Sequence, residues 1–280
     1  MSDFQIIEKT ISRHPVIVAP RRANRPDFTT DTVPFCPFCS GREAEDGELY
    51  RIDEKGKSAA FHEPTTDWLV RVIPNKFPFT HFHELVIHSP DHHKNFAELP
   101  TSHIKLVLQT YRARYNYHRN DGQVLLFHNR GQLAGESVPH AHTQLAVMPF
   151  SIPLDIPQLA PEYSEERLET SQFYLFCPPA SPWPDEVWIV PQKSGKYFGD
   201  ISDEEIKNLA FVLPQLLRIQ DMRHGEEFPF NLYISPGENW YLRIIPRSKI
   251  LGGFEVATGI FVNTQDRVET FAFLKKHIAA

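Results

Sequence analysis

The feature that most constrains this chain is an imperfect repeat of its own element order. In the first half, "DWLVRVIPNKFPF" alternates like a strand and "LPTSHIKLVLQTYRARYNYH" has apolar residues at helical spacing. "GQVLLFHNRG" and "HAHTQLAVMP" then read as two more strands. The second half runs in the same order: "DEVWIVPQK" as a strand, "ISDEEIKNLAFVLPQLLRIQDMRH" as a helix, "FPFNLYISPG" and "NWYLRIIP" as paired strands. Ser202 followed three residues later by Glu205 is a capping box that marks where that helix starts. The pattern predicts an α+β fold made by duplication, an antiparallel sheet with helices packed on it, either one sheet per half or one shared sheet. The halves are residues 1–150 and 151–280, and the Pro-rich stretch 151–182 reads as the connecting loop.

The halves are not chemically equal. Ten of the fourteen histidines lie between positions 81 and 142. In "SVPHAHTQ", His140, His142 and Gln144 alternate along a strand and so share one face. A net charge of -6 gives no general nucleic-acid footprint, so anionic ligands must be met by local cations such as those of "PRRANRP". No apolar run approaches the ~20 residues of a membrane span, and the first ten residues lack the basic start and apolar stretch of a signal peptide. The expectation is a cytoplasmic protein.

Cys36 and Cys39 sit on a Pro-punctuated turn, "VPFCPFCSG", as the two thiolates of a zinc knuckle are usually presented. A redox pair and an accidental pair of core cysteines are the other readings; Cys177 stands alone. A tetrahedral zinc needs two further ligands, most often histidines, and His81, His83, His88, His92, His93, His128, His140 and His142 all qualify by spacing.

The set "VIVAPRRANRP", "CPFC", "VRVIPNKFP", "ELVIHSPDHHKNFAELP", "FHNRG" and "SVPHAHTQ", in this order and at these spacings, resembles galactose-1-phosphate uridylyltransferase, of the histidine-triad superfamily. The resemblance is strong over residues 10–150 and looser over 180–265. It implies two histidine-triad-like units, the second degenerate, and a zinc site at Cys36, Cys39, His92 and His140. It makes His142 the nucleophile that carries a nucleotidyl group, its other ring N–H held by the carbonyl of residue 140. Gln144 stands where histidine-triad hydrolases carry a third histidine; glutamine can only hydrogen-bond to a phosphoryl oxygen, which favours transfer over hydrolysis. By the same resemblance Arg22 and Arg25 contact phosphate or ribose, and Asn75, Asn129 and Ser137 match nucleotide- or phosphate-binding positions. A homodimer is the family's tendency.

The second half departs from the family. Arg243 and Ile245 in "WYLRIIP" occupy places where the uridylyltransferases carry histidines for a second metal. Glu255, in "GFE" where the family has "GYE", is the candidate for sugar hydroxyls. The reading that follows is a nucleotidyltransferase acting on a UDP-hexose and a hexose-1-phosphate. The close alternative is a nucleotide-sugar phosphorylase of the ADP-glucose phosphorylase kind, using inorganic phosphate, with Arg243 as the cation for that anion. A non-catalytic zinc- or nucleotide-binding protein is the alternative of another class; intact His142, Gln144 and arginines argue against it.

Overall fold

The structure is a computed structural model that describes residues 4–8, 14–25, 36–45, 47–59, 65–159 and 166–278. Two strands, β1 (Gln5–Ile7) and β2 (Val16–Val18), form a small antiparallel ribbon. The others are β3 (Tyr50–Ile52), β4 (Ser58–Ala59), β5 (Val70–Pro74), β6 (His83–Ile87), β7 (Gln123–Arg130) and β8 (His142–Met148) in the first half. The second half supplies β9 (Leu168–Glu169), β10 (Phe173–Phe176), β11 (Val187–Pro191), β12 (Phe230–Ile234) and β13 (Leu242–Pro246). Among the described residues four α-helices accompany them: α1 (Thr101–His118), α2 (Asp203–His224), α3 (Gly253–Thr258) and α4 (Arg267–His277).

Among the described residues the two halves share one 11-stranded antiparallel sheet, in the order β4-β3-β5-β6-β8-β7-β12-β13-β11-β10-β9. Of the two arrangements the repeat allowed, this is the shared one. The order is a near mirror about the β7–β12 seam, where Asn129 pairs with Asn231. The β7–β8 ladder ends at His128 opposite Thr143, so one step on Asn129 lies across from His142. Across the seam Asn231 pairs with Ile245, which makes Ile245 the counterpart of His142 and Arg243 that of His140.

Strand alternation divides the side chains between two faces. Val86, Leu145, Val147, Leu126, Leu232 and Ile244 point to one side and form the main core with Ile104, Val107 and Leu108 of α1 and Leu209, Leu213 and Leu216 of α2. α2 begins as read: the Ser202 hydroxyl accepts from the Glu205 amide at 3.2 Å, and Glu205 reaches back to the Ser202 N–H at 2.7 Å. Pro214 lies inside α2, where it removes one donor without ending the helix. The opposite face of the sheet carries His142 and Gln144. It is covered over β5, β6 and β8 by Phe38 and Val138 against Ile73, Leu85 and Ile87.

One expectation is corrected. The stretch 151–182 is not simply a loop, because β9 and β10 lie in it and extend the sheet beyond β11, with Phe173 opposite Pro191 and Phe176 opposite Trp188. Phe173, Leu175 and Phe176 bury against the sheet's neighbours, and that packing outweighs the proline content around them.

Beneath β6 a charged group is buried. Arg114 of α1 donates to both oxygens of Glu84, at 2.8 and 2.6 Å, and His118 Nε2 lies 2.7 Å from the same carboxylate while its Nδ1 meets Asp121 at 2.9 Å. Burial opposes charge on His118, but the hydrogen bonds to Glu84 and Asp121 outweigh it and raise its pKa above the ordinary imidazole value. A raised folded-state pKa contributes stability that is complete below the unfolded value near 6.5 and lost as pH rises through the folded value. In urea titrations at a series of pH values, the stability advantage of wild type over His118→Gln therefore shrinks as pH rises from 6 upward; an advantage that grows with pH contradicts this account.

Candidate active site

The site is organised by the entry into β8. His140, fully buried, has its Nε2 at 2.8 Å from the carbonyl of Ser89, so Nε2 carries the hydrogen and Nδ1 keeps its lone pair. That Nδ1 lies 3.5 Å from Cys36 Sγ and 3.8 Å from Cys39 Sγ, and Cys39 Sγ lies 3.4 Å from His92 Nδ1. All four ligand atoms fall within 4.8 Å of one another. An ion bound tetrahedrally to sulfur at about 2.3 Å and nitrogen at about 2.0 Å has S···N edges of about 3.5 Å, close to the 3.4, 3.5 and 3.8 Å these atoms have. Burial, with Cys39 alongside, pushes the Cys36 thiol up to about 12, while the backbone N–H of Phe38 approaches its sulfur at 3.4 Å. Two thiolates and two imidazoles fit a tetrahedral cation, and with four protein ligands such a site is closed.

His142 follows two residues on. Its Nδ1 donates to the carbonyl of His140 at 2.8 Å, which leaves Nε2 as the ring nitrogen with a free lone pair. Its own carbonyl, at the point where β7 and β8 part, takes a hydrogen bond from His128 Nδ1 at 2.6 Å in place of a ladder partner. Phe38, from the cysteine turn, packs edge-on against the His142 ring at 5.1 Å. Burial first, and then the Arg25 guanidinium, hold the His142 pKa below the ordinary value, with the His140 carbonyl opposing them. The imidazole is neutral at neutral pH and buried, with one nitrogen engaged.

Around it lie several of the residues singled out in the sequence. Arg22 and Arg25 are on and just after the 3-10 turn Pro20–Asn24; Arg22 donates to the Phe77 carbonyl at 2.6 Å and lies over the Phe79 ring at 4.9 Å. Asn75, at the end of β5, accepts from the Phe77 N–H at 2.8 Å, and its amide nitrogen lies 3.1 Å from His83 Nε2. Gln144 Oε1 is 3.0 Å from the same ring nitrogen. Asn129 accepts from Asn231 Nδ2 at 2.9 Å across the seam. Ser137 is half-buried on the turn leading into β8.

Two residues are placed differently. The Arg243 guanidinium is held in a bidentate pair by Glu186, at 2.5 and 2.8 Å, and by the Tyr233 hydroxyl at 3.0 Å. Glu186 also accepts from Trp188 Nε1 and Ser181, so Arg243 closes a buried, neutralised cluster on the second half's strands. Glu255 caps its own helix α3 through the Gly252 N–H at 3.1 Å and pairs with Lys249 at 2.5 Å. Of the other histidine candidates, His88 and His128 stack on each other at 5.3 Å on the helix side of the sheet. His88 meets Tyr111 and Thr143 there, at 2.8 and 2.9 Å. His83 joins the site through Gln144 and Asn75; in the sequence it is one of eight equivalent metal candidates, and no local signal marks its contact with a glutamine 61 residues away.

Comparison with known proteins bears on the family and the fold. Residues 83–150 match the family model described as galactose-1-phosphate uridyl transferase, N-terminal domain. The chain thus has the fold and motif set of galactose-1-phosphate uridylyltransferase-like proteins, and the resemblance read in the sequence is borne out. Among particular relatives, ADP-glucose phosphorylase of Arabidopsis thaliana is 28% identical over 309 residues, covering 89% of this chain and 86% of that protein. Galactose-1-phosphate uridylyltransferase of Thermotoga maritima is 25% identical, covering 77% and 75%. In fold, the crystal structure of Arabidopsis thaliana ADP-glucose phosphorylase with bound ADP-glucose superposes with a TM-score of 0.73 at 23% identity, over 99% of this chain and 100% of that one.

The donor set predicts about one metal ion per chain, as a closed four-ligand site holds. Elemental analysis of the purified protein should find it, with Cys39→Ser and His92→Ala losing metal and melting at lower temperature while His142→Ala keeps both. Metal retained in full by Cys39→Ser would dissolve the site.

Proposed function

We propose that the chain transfers a nucleotidyl group from a nucleotide sugar to a phosphate acceptor through a covalent intermediate on His142, with zinc as the ion at Cys36, Cys39, His92 and His140. The observation that carries this is the Nδ1–H of His142 held by the His140 carbonyl at 2.8 Å, which leaves the lone pair on Nε2. Zinc supplies no chemistry to the substrate; it fixes the His140 ring and so the carbonyl that supports the nucleophile.

In the first step Nε2 of His142 attacks the α-phosphorus, the bond from phosphorus to the bridging oxygen breaks, and the sugar-1-phosphate leaves with that electron pair. The imidazole carries the nucleotidyl group and keeps its Nδ1 hydrogen on the carbonyl. In the second step an acceptor oxygen attacks the same phosphorus and the Nε2–P bond breaks, returning the lone pair to His142. Splitting one displacement into two lets each proceed with a good leaving group. Arg22 and Arg25 neutralise phosphate charge, Gln144 donates to a phosphoryl oxygen, and Asn75, Asn129 and Ser137 hold the nucleotide or its phosphates.

For the acceptor, inorganic phosphate is the first reading and an ADP-sugar the donor. The likeness to ADP-glucose phosphorylase along 89% of the chain supports it. Arg243 does not, because Glu186 already neutralises it. Transfer from a UDP-hexose to a hexose-1-phosphate is the second reading, favoured by the uridylyltransferase family match over residues 83–150 and the Thermotoga relative. The protein works without nucleic acid or membrane, in the cytoplasm, as a homodimer.

ADP-, UDP- and GDP-sugars, each assayed with phosphate and with hexose-1-phosphates, test both readings. Phosphorolysis of an ADP-sugar with parallel double-reciprocal lines is expected; intersecting lines contradict a double displacement. Arg25→Ala should weaken donor binding by about 1.5–3 kcal/mol, the scale of a hydrogen bond to a charged group, with an unchanged circular dichroism spectrum. Wild-type affinity in that variant would remove Arg25 from the site.

A further inference from the structure

We infer that His83 is a positioning residue: it fixes the carboxamide of Gln144 so that the NH2 end, and not the carbonyl, faces the phosphoryl group at His142. The inference rests on the nucleotidyl-transfer reading above. His83 stands on β6 two residues from Leu85, the cross-strand partner of Gln144, so the two side chains are diagonal neighbours on the site face. Both are buried, and His83 Nε2 lies 3.0 Å from Gln144 Oε1.

The hydrogen on His83 is assigned by elimination. A neutral imidazole has one N–H. Nδ1 of His83 is buried and meets no partner among the described residues. A hydrogen placed there would be an orphaned buried donor, whereas a bare lone pair leaves only an unused acceptor. The N–H therefore sits on Nε2 and donates to Gln144 Oε1. The Phe79 ring, 4.2 Å away with Arg22 above it, holds the imidazole in place.

Gln144 then has its acceptor end occupied and its two N–H bonds free. The distinction matters because a carboxamide is nearly symmetric in shape: turned over, it would set a carbonyl oxygen against phosphoryl oxygens, and a stabilising contact would become a repulsive one. Asn75 is the competing partner. Its oxygen is taken by the Phe77 N–H at 2.8 Å, so its amide nitrogen, 3.1 Å from His83 Nε2, could donate there only if that nitrogen carried no hydrogen. Asn75 is half-buried and its amide hydrogens can reach water or a ligand instead, whereas a hydrogen on His83 Nδ1 would be buried with nothing to meet it among the described residues.

The test is a double-mutant cycle read by single-turnover labelling of the enzyme with an ADP-sugar carrying a radioactive α-phosphate. His83→Phe keeps a ring and removes the donor; it should slow labelling about tenfold to a hundredfold, the scale of a mispositioned contact group, with little change in the donor concentration for half-maximal rate. In a Gln144→Ala background the same substitution should cost nothing further, because His83 acts through Gln144. His83→Gln keeps an N–H donor and should hold labelling within about threefold of wild type, so it carries the test if His83→Phe does not fold. Full additivity of His83→Phe and Gln144→Ala, or His83→Gln as slow as Gln144→Ala, overturns the inference alone. A wild type that forms no labelled enzyme overturns the transfer reading and this inference with it.

Discussion

The hydrogen bond from His142 Nδ1 to the His140 carbonyl ties the structure to its chemistry. Residue 140 does two jobs with two parts: its ring nitrogen points at Cys36 and Cys39, and its backbone oxygen holds the ring of the histidine two residues on, at the start of β8. Anything that sets the position of His140 therefore sets the direction of the His142 lone pair. The Ser89 carbonyl fixes the ring from the far side, and the His88 N–H, through the Ala141 carbonyl at 3.0 Å, fixes the backbone between the two histidines. A cation at the cysteine pair would be the last of these restraints.

The sheet explains why such precision is available. β8 lies inside an antiparallel sheet with β6 and β7 on either side, and every residue of it is buried. Gln144 is held by ladders on both flanks and His142 by β6 on one side and the His128 ring on the other, and behind them sit the main core and the two long helices. The duplication supplies the width of the sheet, while the chemistry stays in the first half: Ile245 replaces the nucleophile's counterpart, and Arg243 forms a buried ion pair with Glu186. Breaking such a pair costs about 3–5 kcal/mol, which gives the second half a structural reason to keep its arginine.

Much of this was legible in the sequence because it is local. Strand alternation put His142 and Gln144 on one face, with His140 on the bend just before β8 instead of in the strand, the capping box placed the start of α2, and the Cys36–Cys39 spacing predicted a turn. What spacing could not do was choose two histidines out of eight; the family resemblance chose His92 and His140, and these are the two the structure brings to the cysteines. The misread features depend on partners distant in the chain. Arg243 looked like an anion-binding cation because Glu186, 57 residues earlier, gives no sign of pairing with it. β10 hid in a Pro-rich stretch because its partner β11 decides its fate. His83 had the right residue type, but its role comes from the register of β6 on β8.

The central claim is that His142 carries the nucleotidyl group. Incubating the protein with an ADP-sugar in the absence of acceptor, then mapping adducts by mass spectrometry under alkaline conditions, addresses it directly. The account predicts one nucleotidyl adduct on the peptide containing His142, lost on mild acid treatment and on addition of phosphate, and absent from His142→Ala. An adduct on another residue, or turnover undiminished in His142→Ala, would contradict it.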